Sequence, residues 1–267
     1  MPSWQIQTYT VSDGIELSFT DSGAPPDSRD YTTVLFVHGG VFNAYQFRKV
    51  HAHAHALNLR TVLIHRRDYA GSTPYSSSEI EELEQGSAAF WERLSAQVAE
   101  FMEIFIKRER IPKLNRQKSS GGNGGVAIFG WSAGCSTVLS LLGLTRNPMI
   151  SEDLYIGLQE YIGNCIIYDP PYFCFGYIPP SDNRNYIPWN DPAVSAEDLP
   201  GVVAEWISSY YDHPCYDPVS QSLSSKAGIH DLDGIRQKGD RMSVSSWTDE
   251  ETAMGLEGTP AKNEVLA

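Results

Sequence analysis

Hydrophobic and polar positions alternate through Trp4 to Thr10 and again through Ile15 to Thr20, on either side of Ser12-Asp13-Gly14. A period of two interrupted by such a turn predicts a β-hairpin, partly exposed at a sheet edge. The pattern then changes. Thr33-Val34-Leu35-Phe36-Val37 is apolar without interruption, follows the polar stretch Asp27 to Asp30 and runs into Gly39-Gly40. Such runs are strands covered on both faces. Thr61-Val62-Leu63-Ile64, Gly125-Val126-Ala127-Ile128-Phe129 and Asn164-Cys165-Ile166-Ile167-Tyr168 repeat the signature. Four buried strands imply a parallel sheet.

Helix-length segments lie between them: Phe47 to Leu59, Glu79 to Arg110, and Ser136 to Leu144, the middle one divisible near Gly86. Strand alternating with helix is the sequence form of an α/β fold, a mostly parallel sheet with flanking helices and a ligand crevice at the carboxyl ends of its strands. The glycine-rich run Gln117 to Gly125 lacks the Gly-x-Gly-x-x-Gly spacing of a phosphate cradle and leads into a strand, so it reads as a connection. Tyr172 to Tyr216 is dense in aromatics and prolines and holds no long apolar strand. It predicts a helical, aromatic-rich cap whose main helix lies within Ala193 to Tyr211. Thr248-Asp249-Glu250-Glu251 has the capping-box form and starts one more short helix. The expected organisation is a core over 1–170, a cap over 171–250 and a polar tail over 251–267.

Composition narrows the function classes. The chain has 267 residues, 41% of them hydrophobic, which suits one domain with a sizeable core. A net charge of −13 repels phosphate backbones, so nucleic acid is not an expected partner. No apolar stretch reaches the roughly 20 residues of a membrane span, and the amino terminus has no signal-peptide pattern. Cys135, Cys165, Cys174 and Cys215 form no C-x-x-C pair, which fits a reducing, cytoplasmic setting.

The candidate chemistry centres on Gly130-Trp131-Ser132-Ala133-Gly134, a G-x-S-x-G motif between a buried strand and an apolar helix. Its glycines leave room for a strained strand-to-helix turn that lifts the serine hydroxyl above the sheet, and the helix start supplies backbone N–H donors. His38-Gly39-Gly40-Val41, at the end of an earlier strand, supplies the second donor loop that acyl transfer needs. The expected oxyanion donors are the N–H groups of Ala133 and Gly40, with Val41 the alternative; His38 is assigned a loop-ordering role. His51 and His55 share a helix face but lack the H-E-x-x-H glutamate and a third ligand, so no metal is expected and a solvated face is the reading. Glu79 to Glu84 reads as a helix-start charge run.

His65-Arg66-Arg67-Asp68-Tyr69-Ala70-Gly71-Ser72-Thr73 completes the set. In this order and spacing, H-G-G-x-F, R-R-x-Y-x-G-S-T and G-W-S-A-G resemble the α/β-hydrolase superfamily, in the group of epoxide-hydrolase-like, iminopeptidase-like and esterase-like enzymes. The likeness spans about residues 15 to 175. It implies eight strands, a Ser/acid/His triad, acyl transfer and no cofactor. Serine at the elbow sets aside the epoxide-hydrolase and dehalogenase chemistries that the family runs from aspartate. The chain departs from the family after the cap: the seventh and eighth strands and the usual histidine are absent from the pattern. The candidate triad is therefore Ser132, Asp169 and His213, although Asp169 equally suits holding the cap loop and His213, like His230, reads as an exposed cap or tail histidine. Trp131, Tyr172, Phe173, Trp206 and Tyr210 are the expected substrate contacts.

Two functions follow. One is a serine hydrolase for a small apolar ester or amide. The other is a shortened, catalytically impaired hydrolase fold that binds a ligand or partner. In either case a second copy or a partner is expected over the open sheet edge.

Overall fold

The computed structural model describes residues 5–117, 124–143, 146–177, 188–212, 216–217, 219–220, 222–223 and 237–266. The hairpin forms from β1 (Gln7–Thr10) and β2 (Glu16–Asp21), paired antiparallel with Tyr9 opposite Leu17. β3 (Thr32–Val37), β4 (Leu59–Ile64), β5 (Val126–Trp131) and β6 (Ile162–Tyr168) follow. The six strands lie in the order β1-β2-β4-β3-β5-β6, and the pairs β3–β4, β3–β5 and β5–β6 are parallel. β3 therefore sits centrally, and the loops leaving β3, β4 and β5 converge at one end of the sheet.

The helices explain the crossovers. The segment expected as a helix over Phe47 to Leu59 forms 3₁₀ turns around one short helix, α1 (His51–Ala54), ending at Leu57, and Leu59 already belongs to β4. Glu79 to Arg110 splits as its glycine suggests, into α2 (Ser77–Glu84) and α3 (Ala88–Glu109). The Ser76–Glu79 capping box starts α2, while Glu79 also takes both ends of the Arg67 guanidinium at 3.0 Å. α4 (Gly134–Leu142) follows the elbow. α5 (Glu152–Gln159), begun by a Ser151 cap, has no counterpart in the sequence reading, because its short apolar repeat is broken by Gly157. Phe101 and Phe105 of α3 pack edge-on against Phe19, at 5.1 and 5.8 Å between ring centroids, in the main core.

Three expectations need correction. β6 reads as buried but is exposed along most of its length, with Ile166 and Tyr168 in the open; among the described residues no strand pairs with its outer edge. An apolar run encodes the wish for neighbours, not their presence. The cap is not purely helical. α6 (Leu199–Ser208) starts six residues later than Ala193, where turns at Asp191 to Val194 give way to Pro200 in its first turn. Its chain continues as β7 (Ser209–Asp212), paired antiparallel with β10 (Gln237–Met242), beside a small pair of β8 (Tyr216–Asp217) and β9 (Ser222–Leu223). Finally, the segment expected as a polar tail forms a helix. After α7 (Asp249–Gly255), whose Thr248 capping box forms as its residues require, α8 (Gly258–Leu266) returns to the loops at the end of the sheet.

Candidate active site

Ser132 follows β5 directly and is followed by α4, and its φ of 49° is the left-handed conformation that L-residues avoid. The surroundings leave no alternative course. A Cβ on Gly134 would stand 2.4 Å from the Val37 carbonyl oxygen and 2.5 Å from that of His38, so α4 presses directly on the end of β3. A Cβ on Gly39 would stand 2.8 Å from Ser132 Cβ, which brings the His38 loop beside the elbow. Packing thus imposes the strain on Ser132, which is half-buried and whose hydroxyl no side chain among the described residues hydrogen-bonds.

The two donor segments meet here. Ala133 N–H and Gly40 N–H make no hydrogen bond among the described residues. Val41 has φ of 69° at the centre of a γ-turn closed by Phe42 N–H to Gly40 O at 2.7 Å, a strained state for a β-branched residue. Its own N–H donates to Tyr69 Oη at 3.1 Å. Of the two alternatives for the second donor, Gly40 N–H is unengaged among the described residues and Val41 N–H is engaged.

His38 is fully buried. Nε2 accepts from Arg66 N–H at 3.0 Å, which leaves the proton on Nδ1 to donate to Gly39 O at 2.8 Å. Burial, then the charge of Arg66, hold it well below the usual histidine value, so it orders the loop as a neutral ring. His51 departs from the solvated face assigned to it: it is buried, with Thr20 Oγ1 at 3.0 Å from Nε2 and Thr61 Oγ1 at 2.6 Å from Nδ1. Among the described residues no His, Cys, Asp and Glu cluster fits a metal.

The remaining candidates scatter. Asp169, at the end of β6 with φ of 48°, is exposed and accepts no hydrogen bond from the described residues. His213 and His230 lie outside the described residues, as do the side chains of Phe173 and Tyr210. Trp131 is buried in an apolar cluster with Val41, Phe42, Leu199 and Val203, and Trp206 of α6 packs against it. Tyr172 is partly exposed beyond β6.

Sequence reasoning missed the carboxyl-terminal lining. Asn43, wholly buried, donates to Met254 O at 2.8 Å and to Glu257 Oε1 at 2.6 Å, and Glu257 N–H returns to Val41 O at 3.0 Å. Trp247 packs on Phe42 and Tyr45. α8 sends Glu264 inward, where Oε2 accepts from Arg66 Nη2 at 2.7 Å and from Tyr69 Oη at 2.8 Å. Burial opposes the charge on Arg66, but Glu264 outweighs it and holds the guanidinium firmly protonated. Burial and Glu264 together push Tyr69 well above the usual phenol range. The only local sign of this helix was Pro260 just inside its start.

Solved structures resemble this fold. A mutant epoxide hydrolase of Vigna radiata superposes with a TM-score of 0.51 at 12% identity, over 98% of this chain and 72% of that one. The chain has the α/β-hydrolase fold. Epoxide hydrolase A of Mycobacterium thermoresistibile (TM-score 0.49, 16% identity, 98% of this chain and 74% of that one) is also similar. So is the epoxide hydrolase CorEH, at TM-score 0.37 and 14% identity over 62% of this chain. The chain spans only 43% of the length of CorEH. No family model and no curated protein matches the sequence. Among the described residues no helix of the fold is long and apolar enough to cross a membrane.

Proposed function

We propose that this α/β-hydrolase-fold chain is a serine hydrolase that cleaves a small carboxylic ester or amide through an acyl-enzyme at Ser132. One observation carries the reading: a non-glycine residue held at φ 49° between strand and helix, with its hydroxyl and the N–H groups of Ala133 and Gly40 unengaged among the described residues. Strain of this kind persists where surrounding packing enforces it, and it clusters at reactive groups. In the reaction Ser132 Oγ attacks the carbonyl carbon, and a base takes its proton. The carbonyl oxygen becomes an oxyanion facing Ala133 N–H and Gly40 N–H, and the leaving alcohol or amine departs with the proton the base returns. Water then repeats the sequence to release the acid. Trp131 and Trp206 offer an apolar wall for the substrate.

A second reading, a hydrolase fold that binds without turnover, is favoured by the absence of a hydrogen-bonded base on Ser132 among the described residues. Removing the histidine of such a triad costs on the order of a million-fold in turnover. Fluorophosphonate labelling and turnover of a short-chain nitrophenyl ester separate the two. Wild type is expected to label at Ser132 and to turn over the ester, while Ser132→Ala does neither and His213→Ala or His230→Ala identifies the base. Wild-type turnover equal to that of Ser132→Ala overturns the proposal.

A further inference from the structure

We infer that Arg66, with Tyr69 and Tyr75, forms a carboxylate subsite beside the elbow, and that Glu264 of α8 fills it in the free protein as an internal stand-in for an anionic substrate. The inference deepens the reading of Ser132 as an acyl-transfer nucleophile and rests on it for the ester half of that substrate.

Arg66 is a buried cation, its side chain 4% exposed, at the crevice end of β4. Among the described residues only its Nη2 is used, shared between Gly39 O at 3.0 Å and Glu264 Oε2, and Nε and Nη1 have no partner there. A guanidinium frequently meets a carboxylate through two parallel bonds, and buried donors are rarely left unpaired. Glu264 reaches it through a single oxygen, because the same oxygen also accepts from Tyr69 Oη. Tyr75 Oη is a further buried hydroxyl without a hydrogen-bond partner among the described residues, and Glu264 and Arg66 are its strongest charged neighbours. The pocket therefore offers more donors than its occupant satisfies. Its neighbour Arg67 shows the contrast: it also is buried, but Glu79 engages it bidentately and Thr73 O and Pro74 O take further donors.

The subsite is placed for a substrate. Glu264 Oε2 lies 3.5 Å from where a Cβ on Gly40 would stand, and Gly39 abuts Ser132 Cβ. Along that path the carboxylate and Ser132 Cβ are no more than about 13 Å apart, given 3.8 Å between successive Cα atoms. That span suits a short molecule with a carboxylate at one end and an ester at the other, such as a monoester of a small dicarboxylic acid. Binding requires Glu264 to withdraw, so α8 must loosen. A tethered competitor acts at an effective concentration of the order of millimolar or more, which weakens an incoming carboxylate accordingly.

The test measures binding apart from turnover, in the full chain carrying Ser132→Ala. Propionate is titrated calorimetrically against this protein and against versions that also carry Glu264→Ala or the isosteric Glu264→Gln, with neutral propionamide as the control. Removing the Glu264 charge is expected to tighten propionate at least tenfold without improving propionamide, and adding Arg66→Met should abolish the gain. Saturating propionate should also speed amide exchange across 258–266 when Glu264 is present. The subsite is overturned if neither Glu264 variant prefers propionate over propionamide, or if Arg66→Met leaves binding unchanged. It is equally overturned if exchange in 258–266 does not respond, since Arg66–Glu264 is then an ion pair alone. With Ser132 restored, Glu264→Gln should hydrolyse monomethyl succinate at least tenfold faster than dimethyl succinate. Carboxylate binding without any turnover refutes the hydrolase reading and keeps the subsite; turnover of neutral esters without carboxylate binding does the reverse.

Discussion

At the residue scale, the elbow is a balance between local strain and surrounding contact. A left-handed L-residue costs roughly 1–2 kcal/mol, and the greater unfolded-state freedom of glycine costs roughly 0.5–1 kcal/mol. Ser132→Gly should therefore stabilise the fold by about 0.5–1 kcal/mol while abolishing fluorophosphonate labelling; a urea midpoint no higher than wild type would deny that the turn is strained. Gly134→Ala should act in the opposite sense. Its Cβ would meet the carbonyl oxygens of Val37 and His38, and backbone cannot yield as a side chain can. A loss of about 1–3 kcal/mol is expected, with reduced labelling even where the protein remains folded. G-x-S-x-G made both positions legible, because the motif itself is a statement about space. The engagement of Val41 N–H was not legible: it depends on Tyr69, 28 positions along the chain.

At the element scale, strands and long helices followed from their periods, while the last helices followed from docking. α3 buries an apolar face that its sequence displays, with Phe101 and Phe105 among the residues turned to the sheet. α8 displays little, and what holds the end of the chain is a set of polar contacts led by Asn43. Asn43→Ala removes the donors to Met254 O and Glu257, which are part-buried, and the buried acceptor for Tyr45 N–H. Losing them should cost about 2–3 kcal/mol. Amide exchange across 249–266 should rise more than in the β3 and β5 strands; a uniform rise would show that the segment does not open on its own.

At the scale of the whole molecule, acid should unfold the chain partly through its buried histidines. Burial lowers His65 from 6.5 to about 4, and His38 shifts the same way. As pH falls below 6.5 the unfolded chain takes up these protons while the folded chain does not, so stability present above that value is lost progressively toward pH 4. Each such histidine contributes about 1.4 kcal/mol per pH unit within the window. Urea unfolding between pH 7 and 5 should show a slope smaller by about that amount in His65→Gln; an unchanged slope would mean His65 is protonated in the folded state. His51 illustrates how far sequence reaches. His51 and His55 have the i,i+4 spacing of a zinc motif without its glutamate or a third ligand, but only the approach of Thr20 and Thr61 makes His51 a core residue. By itself the sequence determined the hairpin, the parallel strands, the strand-to-helix turn at Ser132 and the glycine loop after β3, because each is written in a local period or a short motif whose geometry is its own cause. Tertiary structure alone decided that β6 lies exposed, that Val41 is engaged, and that Glu264 enters the crevice against Arg66. Those outcomes depend on which distant segments arrive, and no periodicity within one segment records the arrival of another.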